Sequence, residues 1–289
     1  MITVKLGGAS GIDPGPLVRD VASWTRSGRP LVIVHGGSDA TDALSLALGR
    51  PPRFVTGPTG RVSRVTDADA LADFTMACAL RNAELVTALQ AAGVDAVGLR
   101  GVDGGVLRAR RKRAIRYVED GKTKLLRNDR SGAVTGVDER LLRLLLNDGR
   151  VPVLSPPALA DDGTAVNVDA DRAAAAVAIA LRSETLILLT NVPGLLRDPH
   201  DHASLLTTVD LSDPAQVAVA DAAATGRMHA KLDAAKTAVD GGVARAIVGD
   251  ARRDAPLTTA LATDRATDRA TAASGSGTVI RRTLPEEAS

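Results

Sequence analysis

The chain has 289 residues, 45% hydrophobic and 24% charged, enough for one large or two small domains with a substantial buried core. Its 36 Lys and Arg nearly balance 34 Asp and Glu, and aromatics make up 1%, which argues against a nucleic-acid partner needing a basic face and stacking rings. No apolar run approaches the roughly 20 residues that span a bilayer, and MITVKLGG runs straight into a strand and a glycine turn, so no membrane partner and a cytoplasmic location are expected.

Short apolar runs alternate with longer amphipathic ones. Strands are predicted over residues 2–6, 31–35, 94–99, 151–155, 185–190 and 244–248, with a last strand in TVIR (278–281). Helices are predicted over residues 14–27, with Asp13 ahead of a proline at the first position, from about 39, over 68–92 to Gly93, and over 138–148. Further helices follow over 169–181, 214–223 and 229–240. The lone cysteine, Cys78, falls in the apolar FTMACAL and is expected to be a buried structural thiol. Alternation with short connections predicts an α/β fold with a mostly parallel sheet, which binds ligands beyond the carboxyl ends of its strands.

Two regions break the alternation. Residues 106–130 carry ten Lys or Arg against three Asp or Glu, and their EDGK turn predicts a projecting β-hairpin. Residues 262–277 form a short ATDR repeat with a Gly/Ser end, expected to be a flexible loop, and 283–289 read as a frayed tail.

Polar and glycine residues gather at the predicted strand ends. KLGG places Lys5 inside a buried strand two residues before a glycine pair, and a buried ammonium is costly unless an anion receives it. VHGGSDA repeats the arrangement at Gly36 and Gly37, so both pairs can aim backbone N–H groups at one anion. His35 by itself reads as a packed strand-end residue. Arg64 in RVTD has the chemistry to clamp a carboxylate, although by itself such an arginine is more often a surface ion pair. Lys231 stands near a helix start. AVNVDADRAA sets Asn167, Asp169 and Asp171 at the mouth of an alanine-rich helix, readable as a metal site, a helix cap or part of a catalytic centre. GKT at 121–123 is not a P-loop, because Arg116 stands where its first glycine belongs, and HDH at 200–202 reads as a solvated turn.

In order, KLGG (5–8), HGG (35–37), RVTD (64–67), NVDAD (167–171), TNVPGL (190–195) and MHAK (228–231) resemble the amino acid kinase family, within it the acetylglutamate kinase group. The resemblance covers the chain to about residue 282. It implies a single domain over 1–289, a three-layer αβα sandwich with a mainly parallel central sheet. Its lobes would be 1–168 for the acid substrate and 169–282 for ATP. By similarity Lys5, Lys231, Asp171 and Gly8 are catalytic, the lysines neutralising the transferring phosphoryl group and Asp171 orienting them. Gly36, Gly37, Arg64 and Asn167 would bind the substrate, and Lys5, Gly7, Thr190, Asn191, Gly194 and Lys231 the nucleotide. Mg2+ would be carried on the ATP phosphates, with no protein metal ligand. Ser38 in place of a third glycine, and the longer loop PPRFVTGPTGRVSRVTD, look more like the kinases that act on α-aminoadipate or glutamate attached to a small acidic amino-group carrier protein, in lysine or arginine biosynthesis. Arg110, Arg111, Lys112 and Arg113 would then dock the carrier. An acetylglutamate kinase acting on free N-acetylglutamate, and a non-catalytic regulatory protein of the same fold, stand as alternatives. A homodimer is expected, and feedback inhibition by arginine is not, since the chain starts at the first strand.

Overall fold

The computed structural model describes residues 1–8, 11–267 and 277–283. The chain opens with β1 (Ile2–Leu6), α1 (Gly15–Arg26), β2 (Leu31–His35) and α2 (Ser38–Ala47), then a small hairpin, β3 (Phe54–Thr56) and β4 (Val62–Arg64). The long α3 (Ala68–Ala91) and β5 (Ala96–Arg100) precede a β-rich insertion of β6 (Leu107–Arg111), β7 (Ile115–Glu119), β8 (Lys122–Leu126) and β9 (Gly132–Val137). There follow α4 (Arg140–Asn147), β10 (Val151–Ser155), β11 (Ala158–Ala160), β12 (Ala165–Val166), α5 (Ala170–Ala180), β13 (Thr185–Thr190) and β14 (Thr208–Asp210). The last elements are α6 (Pro214–Ala223), α7 (Met228–Asp240), β15 (Arg245–Asp250), α8 (Pro256–Thr267) and β16 (Gly277–Arg281).

Eight strands form the central sheet in the order β14-β16-β15-β13-β1-β2-β10-β5. The six from β15 to β5 run parallel; β16 is antiparallel to β15 and parallel to β14. Strands covered on both faces need no polar alternation, and β1, β2, β10 and β13 are buried at every residue. One face carries α5 and α7 over Val32, Val34, Leu186 and Leu188; the other carries α1, α3 and α8 over Val4, Ile33, Ile187 and Leu189. This is the expected αβα sandwich. With few aromatics, close helix approach fills the core: α5 and α7 meet through alanines such as Ala174, Ala178, Ala234 and Ala238, all fully buried.

One expectation is extended and two change. The basic region is a two-storey ribbon: β6 pairs antiparallel with β9 and parallel with β11 at its base, and β7 and β8 form the hairpin above. Asp120 and Gly121 both have positive φ, 52° and 71°, as a two-residue hairpin turn requires. The loop before RVTD contains the hairpin β3–β4, whose strands are too short to show a period of two. The repeat expected to be a loop from 262 is helical through Thr267, since α8 begins at Pro256 and its Thr258 N–H and hydroxyl both donate to buried Asp20 of α1 (2.9 and 2.6 Å). Gly277 already belongs to β16; residues 268–276, and the tail beyond Thr283, lie outside the described residues. No described helix is long and apolar enough to cross a membrane.

Candidate active site

Period-two alternation in β1 sends Ile2, Val4 and Leu6 to the α1–α3 face and Thr3 and Lys5 to the α5 face. Lys5 therefore enters the protein beneath the first turn of α5, with only 4% of its surface exposed. That turn is placed by Asp169, whose carboxylate caps the helix by accepting the Arg172 N–H at 2.9 Å. Two residues on, Asp171 faces inward, and Lys231 reaches it from the first turn of α7.

Asp171 bridges the two lysines. Lys5 Nζ lies 2.8 Å from its Oδ1, and Lys231 Nζ lies 2.9 Å from Oδ2 and 3.1 Å from Oδ1. Burial would raise the carboxyl, but the two ammonium groups override it and hold Asp171 at about 2. Burial, reinforced by the neighbouring Lys5, lowers Lys231 to about 8 against the pull of Asp171. Two ammonium groups against one carboxylate leave a net positive charge in a nearly dry site, at a helix N-terminus that also favours anions. The cluster is built to receive an anion, and both oxygens of Asp171 face ammonium groups, so it is not disposed as a metal ligand.

The glycine turns follow β1 and β2, and a Cβ at Gly36 would lie 3.4 Å from Ala170 at the start of α5. A Cβ at Gly8 would lie 2.9 Å from both Gly36 C and Gly37 N, so only glycine lets the turns after β1 and β2 touch. The Asp39 N–H donates to Gly8 O at 3.1 Å, and the Gly7 N–H to Leu189 O at 3.0 Å. Arg64, at the end of β4, is held beside the second turn by Asp42 (2.5 Å) and by stacking on Phe54, 4.9 Å from the ring centre. Asn167 Nδ2 donates to Thr66 Oγ1 at 3.2 Å. The same Thr66 donates its N–H to buried Asp129 (2.8 Å), which also accepts from Ser131 N (2.7 Å), tying the RVTD turn to the ribbon base and the entrance of α5.

Sequence reasoning missed Thr66, Asp129 and Asp42, whose partners are remote in sequence. It also missed Arg61, which crosses from the β3–β4 hairpin to Asp233 of α7 at 2.8 Å, two residues beyond Lys231. Of the residues expected at the nucleotide, Thr190 ends β13 and is buried, Asn191 follows half-buried, and Gly194 is packed against Thr278 and Leu205, where a Cβ would come within 2.8 Å of both. Close packing is thus reason enough for glycine at 194. Of the residues expected to dock a carrier, Arg110, Lys112 and Arg113 are exposed, whereas Arg111 is half-buried and its Nε donates to Asp129 O at 3.1 Å. Among the described residues no group of three or more His, Cys, Asp or Glu is arranged to hold a metal ion.

Two lysines on one carboxylate beneath paired glycine turns invite comparison with known proteins, and residues 1–250 match the amino acid kinase family profile. The chain belongs to the amino acid kinase family. Among curated relatives, this amino acid kinase is 46% identical over 281 residues to a LysW-aminoadipate kinase of Deinococcus radiodurans, covering 97% of this chain and 91% of the relative. It is 45% identical to one of Thermus thermophilus over 97% of this chain and 100% of the relative. An acetylglutamate kinase of Myxococcus xanthus is 40% identical over 83% of this chain and 78% of the relative. Among solved structures, an N-acetylglutamate synthase of Neisseria gonorrhoeae superposes with a TM-score of 0.76 and 25% identity, covering 98% of this amino acid kinase and 60% of that chain.

Proposed function

We propose that this protein transfers the γ-phosphoryl group of ATP to the side-chain carboxylate of α-aminoadipate, or of glutamate, held by its amino group on a small acidic carrier protein, as a step of lysine or arginine biosynthesis. The observation that carries the reading is the buried Lys5–Asp171–Lys231 cluster in a chain so similar to the LysW-aminoadipate kinases. The division into an acceptor lobe, 1–168, and a nucleotide lobe, 169–282, belongs to the same proposal.

In the reaction the acceptor carboxylate oxygen forms a bond to the γ-phosphorus as the bond to the ADP oxygen breaks. The acceptor is already ionised, so no general base is needed, and positioning and charge neutralisation do the work. Lys5 and Lys231 would neutralise the charge on the transferring group, with Asp171 keeping both ammonium groups aimed at it. Gly8, Gly36 and Gly37 would donate backbone N–H groups, Arg64 and Asn167 would hold the acceptor, and Gly7, Thr190, Asn191 and Gly194 would border the nucleotide. ATP supplies the phosphoryl group, and Mg2+ bound to its phosphates would offset their charge.

The carrier would meet the ribbon. Arg108, Arg110, Lys112, Arg113, Arg116 and Lys122 are exposed there, and β7 lies against the β3–β4 hairpin, with Gly57 close to Arg116 O. A basic surface beside the acceptor entrance steers an acidic protein toward it. A homodimer is supported by Leu46, Leu48, Met76 and Leu80, 47 to 60% exposed on the paired helices α2 and α3 and at the end of α2.

The decisive experiment is ATP-dependent acyl-phosphate trapping with hydroxylamine on carrier-bound aminoadipate, carrier-bound glutamate and free N-acetylglutamate. Turnover of a carrier-bound acid is expected. Turnover of the free acid alone would establish the acetylglutamate kinase reading instead, and no turnover of any would favour a non-catalytic role.

A further inference from the structure

His35 is the last residue of β2 and shares a strand face with Leu31 and Ile33, where an apolar side chain would fill the space without desolvating an imidazole. The imidazole is nevertheless buried and bonded at both nitrogens. Its Nδ1 lies 3.1 Å from Gly36 O, and its Nε2 lies 3.0 Å from Asn82 Nδ2 on α3. Asn82 Nδ2 also donates to Val153 O at 2.9 Å, which identifies that atom as the amide nitrogen, because two carbonyl oxygens would repel at this spacing. An amide N–H facing Nε2 requires Nε2 to accept, so the ring proton sits on Nδ1 and is donated to Gly36 O. The place of Asn82 is built into the neighbouring strand: a Cβ at Gly98 of β5 would stand 2.1 Å from Asn82 Oδ1.

The consequence lies in the next peptide. Its C=O belongs to Gly36 and its N–H to Gly37, and in a planar trans peptide these point in opposite directions. A carbonyl held by His35 therefore fixes the Gly37 N–H on the opposite edge of a peptide whose face packs over Gly8. No described residue accepts from that N–H. The other side of Gly37 is closed by Cys78, whose Sγ would lie 2.9 Å from an added Cβ, so the peptide is gripped from two sides.

We propose that His35, locked as its neutral Nδ1–H tautomer by Asn82, is a positioning residue that aims the Gly37 N–H at the transferring phosphoryl group. The inference rests on the phosphoryl-transfer reading above. Burial lowers the imidazole to about 4 even against its bond to Gly36, so it stays neutral in the working range and does not itself exchange protons.

The test compares wild type with His35→Leu, which cannot hold the carbonyl, and His35→Asn, whose amide reproduces a donor at the Nδ1 position. Wild-type turnover of a carboxylate acceptor decides the functional reading; the ratio between variants decides the role of His35. Losing one aimed donor is expected to lower kcat of His35→Leu on the order of 10²-fold, with KM for ATP and acceptor changed less than about threefold. His35→Asn is expected to recover most of that loss. Turnover of His35→Leu within about threefold of wild type would overturn the proposal. Should the leucine variant not fold, nitrogen NMR of histidine-labelled wild-type protein decides: protonated Nδ1 with bare Nε2 supports it, and the opposite tautomer sinks it.

Discussion

Asp169 and Asp171 stand two residues apart with the same side chain, yet their surroundings give them different tasks. Asp169 is exposed and caps α5, a role asparagine performs equally well, so Asp169→Asn is expected to leave both melting temperature and turnover near wild type. In Asp171→Asn two buried ammonium groups would lose their counter-charge, and turnover should vanish in the acyl-phosphate assay while stability falls by about 3 kcal/mol or more. Lys231 gives the opposite pairing of effects. Its folded-state value, about 8, lies below its ordinary 10.5, so the folded protein resists its protonation, and stability gained from this residue rises with pH between those values. Below about 8 its buried charge is a standing cost. Lys231→Met should therefore melt no lower than wild type at neutral pH, with turnover down by orders of magnitude. In wild type, kcat/KM should decline as pH rises through about 8 and Lys231 loses its proton.

The ribbon separates surface charge from structural charge at the scale of one element. Arg110, Lys112 and Arg113 project into solvent, so reversing all three is expected to raise KM for the carrier-bound acid strongly at low salt and little at high salt. An unchanged KM at low salt would exclude the ribbon as the docking surface. Arg111 lies between them in sequence but is turned inward to the Asp129 carbonyl, which anchors the loop reaching Thr66 and Asn167. Arg111→Glu is accordingly expected to lower the melting temperature and disturb the acceptor site, an effect that salt does not relieve. Similarly, the β3–β4 hairpin is tied through Arg61 to α7, so the hairpin and the helix bearing Lys231 are mechanically joined.

At the scale of the molecule, the continuous eight-stranded sheet brings the site together, because β1 lies between β2 and β13 and delivers Lys5 to Asp171, which also meets Lys231. The exposed apolar stripe of Met76 and Leu80 on α3, one helical turn apart, belongs to the same scale. Met76→Glu with Leu80→Lys is expected to convert a dimer to a monomer in sedimentation, whereas a wild-type protein that sediments as a monomer would remove the dimer proposal.

Much was legible in the sequence because it depends on local rules. Fully apolar strands, amphipathic helices, the proline near the start of α1 and the Asp169 cap all follow from residue periodicity and short-range hydrogen bonding. The glycine pairs and Lys5 raised the expectation of a shared anion site, because burying an ammonium and removing side chains both need a reason. What the sequence left undecided concerns contacts between residues far apart in the chain. The hairpin β3–β4 and the part of α8 from residue 262 lie where loops are expected, since three-residue strands carry no period and the capping group of α8 is Asp20, 238 positions away. The inward turn of Arg111, the anchoring by Asp129 and the tautomer of His35 likewise belong to the tertiary structure. Each is decided by which polar group lies opposite a buried one, and a buried polar group must find its partner wherever the fold places it.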